Sequence, residues 1–358
     1  VSRPVLLVTN HVPAFRVGAF AALHEREEIL VALVGGGVRH GGGVRPSGGA
    51  GALPFPAVRL PQRAVARLAG SGRFRAVVAG LSGRVAPAAA YAGARAAGVP
   101  FVLWATMWRH PRSVAHALSY LPVRHLYRHA DAIATYGPHV SAYVRGKGPR
   151  GTVVEAPQSV DDGFWTAPAA APQRIAPFQA LFAGRPEHEK GLDVLLEAWR
   201  AAALGDEAAL VLAGGAAGGG VEGVHAVGRV DPDGMRNFYA GSDVVVVPSV
   251  PTRTFLEPWG LVVNEAFDQG APVIATTAVG AAAGGLVRHE RTGLVVPAGD
   301  AAALAAALRR MRDDAGLRER LGGAARDAVR AFSHEAWADG MSRALAAAAH
   351  AVASRDGC

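Results

Sequence analysis

Short apolar runs rich in β-branched residues alternate along this chain with longer, alanine-rich runs of helical period. In the first half the apolar runs are VLLVTN (5–10), ILVALVG (29–35), RAVVAGL (75–81), PFVLWAT (100–106) and DAIATYG (131–137). Stretches such as GAFAALHER (18–26) and VAPAAAYAGARAA (85–97) separate them, which predicts parallel α/β units. The alternation stops at APQSVDDGFWTAPAAAPQR (156–174), proline-rich and aperiodic, which reads as a linker. It then restarts with FQALFAG (178–184), AALVLAG (208–214), DVVVVPS (243–249), APVIATT (271–277) and GLVVPAG (293–299). From Asp300 onward the pattern is helical, with a long closing helix over 333–352. Residues 36–53 are dense in glycine and have no apolar period, so they predict a mobile loop and not a phosphate-binding fingerprint. The expected architecture is α/β: two Rossmann-like, doubly wound lobes, residues 1–160 and 161–358, facing across a cleft. The final helix has the option of packing back on the first lobe. Ligands are expected at the carboxyl ends of the strands.

Composition agrees with two cores, since 358 residues, half of them hydrophobic, exceed one ordinary domain. Cys358 is the sole cysteine, so no internal disulfide is available, and no apolar run reaches the 18–20 residues, roughly, of a membrane span. A cytoplasmic location is expected, at most peripheral at the inner face of the membrane. Charge is split unevenly. Residues 1–160 carry 19 Arg and Lys against five acids, a net +14, while the remainder carries −6. The first lobe is therefore suited to something anionic. Nucleic acid is excluded by the absence of zinc-ligand spacing, a basic heptad region or an aromatic RNA-binding strand.

The chemistry concentrates in FLEPWGLVVNEAFDQGAPVIA (255–275), an apolar segment holding two carboxylates, Glu257 and Glu265. If a helix starts at Leu261 after the DVVVVPS strand, its free N–H groups form a site for a pyrophosphate. Gly260, lacking a Cβ, lets the phosphate approach. Glu265, one turn further in, is placed to grip a diol such as a ribose, and Glu257 lies toward the other end of the diphosphate. The competing reading makes Glu257 a capping charge and Glu265 a solvated helix residue. In FAGRPEHEKGLDVLLEAWR, Arg185 and Lys190 follow a strand end and can neutralise a diphosphate leaving group. Asp231 and Asp233 form a formal DxD, read here as a helix cap; no metal site is expected.

Together the GRxxxEKG element at 184–191, the SVDDGFW linker, Pro248–Ser249, the Glu257–Glu265 pair and DQGAPVIAT with TGLVVPAGD resemble the retaining glycosyltransferases of the GT-B fold, family 4. The resemblance implies that Arg185 and Lys190 bind the donor diphosphate, that Glu257 contacts the transferred sugar and that Glu265 holds the ribose. It places the amides of Gly260, Leu261 and Val262 on the phosphates, with Pro258 beside them, and the base against the backbone of Arg229 and Val230. It implies retaining, metal-independent transfer from a nucleoside diphosphate sugar, UDP- or GDP-linked, with no cofactor and with lobe closure through the linker. The first lobe departs from the pattern. Trp104 or Ala105 stands where a histidine commonly falls, so His110 is its nearest equivalent, and Gly18 near the first helix start offers room for donor phosphate or acceptor. His24, His116, His125, His129 and His139 read as helix-surface residues.

The acceptor is a sugar, a lipid-linked group or a small molecule. Arg63 and Arg67, spaced i,i+4 in LPQRAVARLAGSGRFRA, suggest peripheral contact with anionic lipid, against a plain solvated face. Rival readings are a non-catalytic sugar-nucleotide-binding protein, a GT-B sugar-nucleotide epimerase, which would need more acids in the first lobe, and a Rossmann dehydrogenase, which would need the GxGxxG that NHVPAFRVGAF lacks.

Overall fold

The computed structural model describes residues 3–35, 53–81, 83, 85–215 and 220–356. The glycine-rich loop expected at 36–53 lies, except for Leu53, outside the described residues. Two compact units emerge, one running to Asp161 and taking in the chain from Ser333, the other Asp162–Phe332.

The first unit is a parallel sheet of β1 (Val5–Thr9), β2 (Ile29–Leu33), β3 (Ala57–Arg59), β4 (Ala76–Gly80), β5 (Phe101–Ala105), β6 (Ala132–Thr135) and β7 (Thr152–Glu155), in the order 3-2-1-4-5-6-7. Each of the five apolar runs forms a strand. The outer strands β3 and β7 escape the pattern because edge strands are half-solvated and short, so AVR and TVVE carry no long apolar run. One face of the sheet is covered by helices Val65–Ala69, Ala86–Ala96, Val114–His129 and Pro138–Arg145, whose buried residues share one core. The opposite face is covered by Ala14–Glu27 and the closing helix His334–Asp356, which buries Trp337, Met341, Leu345 and Ala348. Trp337 stacks on Phe20 at 5.5 Å and meets Trp104 edge-on at 5.5 Å. The residues from Ser333 onward, placed by sequence in 161–358 with the option of packing back on the first lobe, lie in the first unit. The reason is chemical: the alanine- and tryptophan-bearing stripe of the closing helix finds its apolar complement on Phe20 and β5 to β7.

Asp131 ties this unit together. Its fully buried carboxylate accepts from Arg95 at 2.6 Å, from Arg355 of the closing helix at 2.7 Å and from the amide of Phe101 at 2.8 Å. Arg16 is also buried, 2 % exposed, with its guanidinium 5.0–5.4 Å from the rings of Trp104, Tyr136 and Trp337. Burial pulls its pKa below the usual value, opposed by the neighbouring Tyr136; the ring faces compensate part of the lost hydration.

The second unit is a parallel sheet of β8 (Phe178–Ala183), β9 (Ala208–Ala213), β10 (Val224–Gly228), β11 (Val244–Val247), β12 (Val273–Thr276) and β13 (Gly293–Val296), in the order 10-9-8-11-12-13. The order reverses between β8 and β11, which makes the space beyond their carboxyl ends the topological switch point of a doubly wound sheet. Strand β10, again an exposed edge, is the one strand here without an apolar run long enough to stand out in sequence. Helices Leu192–Ala202 and Ala301–Asp313 pack on the sheet through Leu195, Trp199, Leu304 and Leu308.

Candidate functional site

Two loops leave the sheet at that switch point. The loop after β8 runs from Gly184 through a 3-10 turn, His188–Lys190, to Gly191. Gly191 has φ +71°, and a Cβ there would come within 2.0 Å of the Pro248 carbonyl oxygen, so only glycine lets this loop press against the end of β11. The amide of Val250 donates to the Glu189 carbonyl at 3.0 Å and completes the join. Lys190 is thereby carried to Glu257, its Nζ 2.5 Å from Oε2. Both side chains are largely buried, at 22 % and 9 % exposure. Ser249 Oγ lies 3.4 Å from the same carboxylate oxygen, and the Lys190 ammonium sits 5.6 Å over the Phe255 ring.

The backbone around Glu257 is fixed from the far side. Its carbonyl accepts from Gly280, and that of Trp259 from Ala281, at 3.1 and 2.8 Å. Trp259 is buried, donates its indole N–H to Asn264 and packs on Phe332. This explains the greasy context of EPWGLVVNE: Pro258 and Trp259 anchor the turn that presents the carboxylate. Gly260 follows with φ +93°, and the helix is Val262–Asp268, one residue later than the sequence expectation. The amides of Gly260, Leu261 and Val262 stand ahead of the first intrahelical bonds, where a helix has no acceptor of its own to offer them.

Glu265 does not behave as a solvated helix residue. Its carboxylate accepts from the buried Tyr239 hydroxyl at 2.6 Å. Tyr239 belongs to helix Pro232–Gly241, capped by Asp231, which accepts from Gly234 at 2.7 Å, while Asp233 pairs with Arg236. The formal DxD is therefore a helix start, and among the described residues no cluster of three or more His, Cys, Asp or Glu could hold a metal. Arg229 and Val230 form the loop between β10 and this helix, Arg229 exposed and Val230 lying over Gly234. Burial pushes the Glu265 carboxyl up to about 7, with the Tyr239 hydrogen bond opposing the rise. Asp268, three residues on and buried, is pushed up to about 7 by burial and by the charges of Asp162 and Glu265.

These two carboxyls set a pH dependence with a defined sign. Their ordinary values are 4.5 and 3.8. Between those values and about 7 the folded state holds protons that the unfolded chain has released, so stability is greatest at the acid end of that window and falls as pH rises through 7. The thermal midpoint of the second unit should be higher at about pH 5.5 than at about pH 8, and Glu265→Gln with Asp268→Asn should flatten the difference. An equally steep profile in that double variant would remove these groups as its cause.

The other expected residues fall differently. Arg185 pairs with Glu187 of its own loop at 2.7 Å, both half-exposed, and not with the Lys190–Glu257 pair. His110, in the first unit, is fixed to its own neighbourhood: Nε2 lies 2.9 Å from the His116 carbonyl and its ring packs on Tyr120. The space before Gly18 is filled by His334, since a Cβ there would come within 2.4 Å of the imidazole Cδ2, so this glycine serves helix packing inside the first unit. His139 is buried, against the surface reading, and packs edge-on to Trp108. Sequence reasoning gave no role to Tyr239, Ser249 or Asp268, although Ser249 and Asp268 stand in the motifs that carry the resemblance and Asp268 shares a helix face with Glu265 by i,i+3 spacing.

Residues 177–314 match the family of glycosyl transferases group 1. The match spans the second unit from β8 to the helix after β13, and so contains Arg185, Lys190, Glu257 and Glu265. Phosphatidyl-myo-inositol mannosyltransferase of Mycobacterium leprae is 34% identical over 190 residues, covering 50% of this chain and 49% of that protein. D-inositol 3-phosphate glycosyltransferase of Salinispora tropica is 34% identical over 180 residues, covering 44% and 35%. The chain thus spans about half or less of the length of these relatives. Anabaena Alr3699/HepE, solved in complex with UDP and glucose, shares the fold over 96% of this chain and 99% of its own, with a TM-score of 0.71 at 17% identity. The two Rossmann-like units are therefore those of the GT-B glycosyltransferase fold.

Proposed function

We propose that this protein transfers a glycosyl group from a nucleoside diphosphate sugar to an acceptor hydroxyl, with retention at the anomeric carbon and without a metal ion. The observation that carries the reading is the Lys190–Glu257 pair at the β8/β11 switch point, next to the amides of Gly260, Leu261 and Val262. In this reading Lys190, aided by Arg185, and the three amides hold the diphosphate and stabilise the charge that grows on it as the glycosidic bond breaks. Glu257 accepts from a hydroxyl of the transferred sugar. Glu265, already oriented by Tyr239, accepts from the ribose, and the backbone of Arg229 and Val230 faces the base. The acceptor oxygen bonds to the anomeric carbon while its proton passes to the leaving phosphate, so the protein's part is positioning and charge stabilisation.

UDP-sugars are the first donors to test, because the similar Anabaena structure holds UDP and glucose. The names of both relatives carry an inositol phosphate, which makes a polyol phosphate or a lipid bearing one the first acceptor to try. Thermal shift with UDP-, GDP-, ADP- and dTDP-sugars, followed by donor hydrolysis with the best binder, checks the reading. One nucleotide class should raise the midpoint and be hydrolysed slowly, and Glu265→Ala should abolish the shift. A shift without any hydrolysis or transfer would favour a non-catalytic sugar-nucleotide-binding protein, and no shift at all would defeat the donor assignment.

A further inference from the structure

Among the described residues the three most exposed large hydrophobic side chains are Val114, Leu118 and Leu121, at 80, 78 and 69 % exposure. All three belong to one helix, Val114–His129. Their i, i+4, i+7 spacing puts them in a single stripe, widened by the exposed Ala117 and Pro122. The helix is anchored elsewhere: Leu126 and Tyr127 in its second half are buried in the core on that face of the sheet, and Val123 packs against it. Its start is fixed as well. Ser113 caps it, Ser113 Oγ lies 2.7 Å from His116 Nδ1, and His110 holds the His116 carbonyl. A well-held helix therefore turns its apolar face outward over its first two turns.

The charges around this face are of one sign. From residue 29 to residue 130 the sequence has thirteen arginines and no acid. Exposed Arg112 precedes the apolar stripe, and exposed Arg124 and Arg128 follow it. Arg63 and Arg67 are exposed on the same side of the sheet, where Val65 and Ala69 enter the core that also takes Leu126. A second copy packed here by two-fold symmetry would set these arginines against themselves. An anionic bilayer meets both demands, taking apolar side chains at the headgroup boundary while its phosphates take the guanidinium groups.

We propose that helix Val114–His129 docks the first unit on an anionic lipid bilayer, with Val114, Leu118 and Leu121 entering the boundary of the acyl chains and Arg112, Arg124 and Arg128 on the lipid phosphates. No helix among the described residues is long and apolar enough to cross a membrane, so this contact is peripheral. It adds an apolar contact to the charged one that the sequence offered at Arg63 and Arg67, and leaves those arginines a supporting charge. Docking of this kind involves the first unit's surface alone and does not depend on the donor chemistry.

Flotation of the full chain with vesicles of phosphatidylcholine, alone or mixed with phosphatidylglycerol, tests it. The chain should float with the mixed vesicles only, and added salt should weaken binding. Leu118→Ser with Leu121→Ser should lower partitioning at least about tenfold, since each leucine gives up most of its apolar transfer; both sites are exposed, so folding and thermal midpoint should not change. Arg124→Glu with Arg128→Glu should lower it at least as far through the charge alone. Equal binding by the serine variant, no binding to mixed vesicles, or a serine variant that changes only the oligomeric state in light scattering would each overturn the proposal, the last by assigning the face to a protein interface.

Discussion

Lys190→Ala should lower the rate of donor turnover by about 10²- to 10³-fold, the usual cost of removing one preorganised group that stabilises a developing negative charge. The effect is large because the ammonium is held in place before any substrate arrives, by a largely buried partner 2.5 Å away and by a loop that Gly191 locks against Pro248. The substitution has a second consequence. It removes a counter-charge from Glu257 inside a mostly buried environment, and breaking a buried pair by removing one member costs up to about 3–5 kcal/mol, the residual exposure of Lys190 placing this case toward the lower part of that range. Glu257→Gln is the companion variant, because it keeps the shape and removes the charge. Arg185→Ala should cost about tenfold or less, since Arg185 is half-exposed and already engaged by Glu187. Steady-state kinetics with the donor identified by thermal shift, read as separate kcat and KM, are the measurement. Lys190→Ala within threefold or so of the parent would remove this residue from the mechanism.

Asp131→Ala should be the most destabilising single change outside the candidate site, about 2–4 kcal/mol, or on the order of 10 °C in the midpoint of the first unit. The carboxylate has no exposure and serves three donors from three parts of the chain: Arg95, Arg355 and the β5 amide of Phe101. Removing it leaves a buried N–H without an acceptor and two guanidinium groups that recover water only in part, their side chains being 30 % and 52 % exposed. Asp131→Asn keeps one acceptor oxygen and should fall between. Calorimetry of both variants decides, and a loss below about 1 kcal/mol for the alanine variant would show that the closing helix is held by its apolar face alone.

Much of this protein is legible in one dimension because its strands are buried on both sides. A parallel strand covered by helices must be apolar throughout, so β1, β2, β4, β5, β6, β8, β9, β11, β12 and β13 stand out as runs, whereas the half-solvated edges β3, β7 and β10 do not. The positions of Lys190, Glu257 and Gly260 were legible for a related reason: the backbone demands of two crowded loops leave glycine and proline signatures next to them. Their pairing was not. Lys190 and Glu257 lie 67 positions apart, and only the β8/β11 adjacency brings them together.

By itself, then, the sequence determined the α/β class, the positions of ten of the thirteen strands among the described residues, the charge asymmetry and the segment that holds the candidate site, because each follows from local composition or periodicity. Tertiary structure decided the rest. It took up the option of packing the closing helix on the first unit, filled the space before Gly18 with His334, gave Glu265 the buried Tyr239 hydroxyl as its donor, and left Val114, Leu118 and Leu121 facing outward. Each of those outcomes depends on which surfaces meet across long stretches of chain, and burial, the quantity that fixes packing, pKa and exposure alike, exists only once they have met.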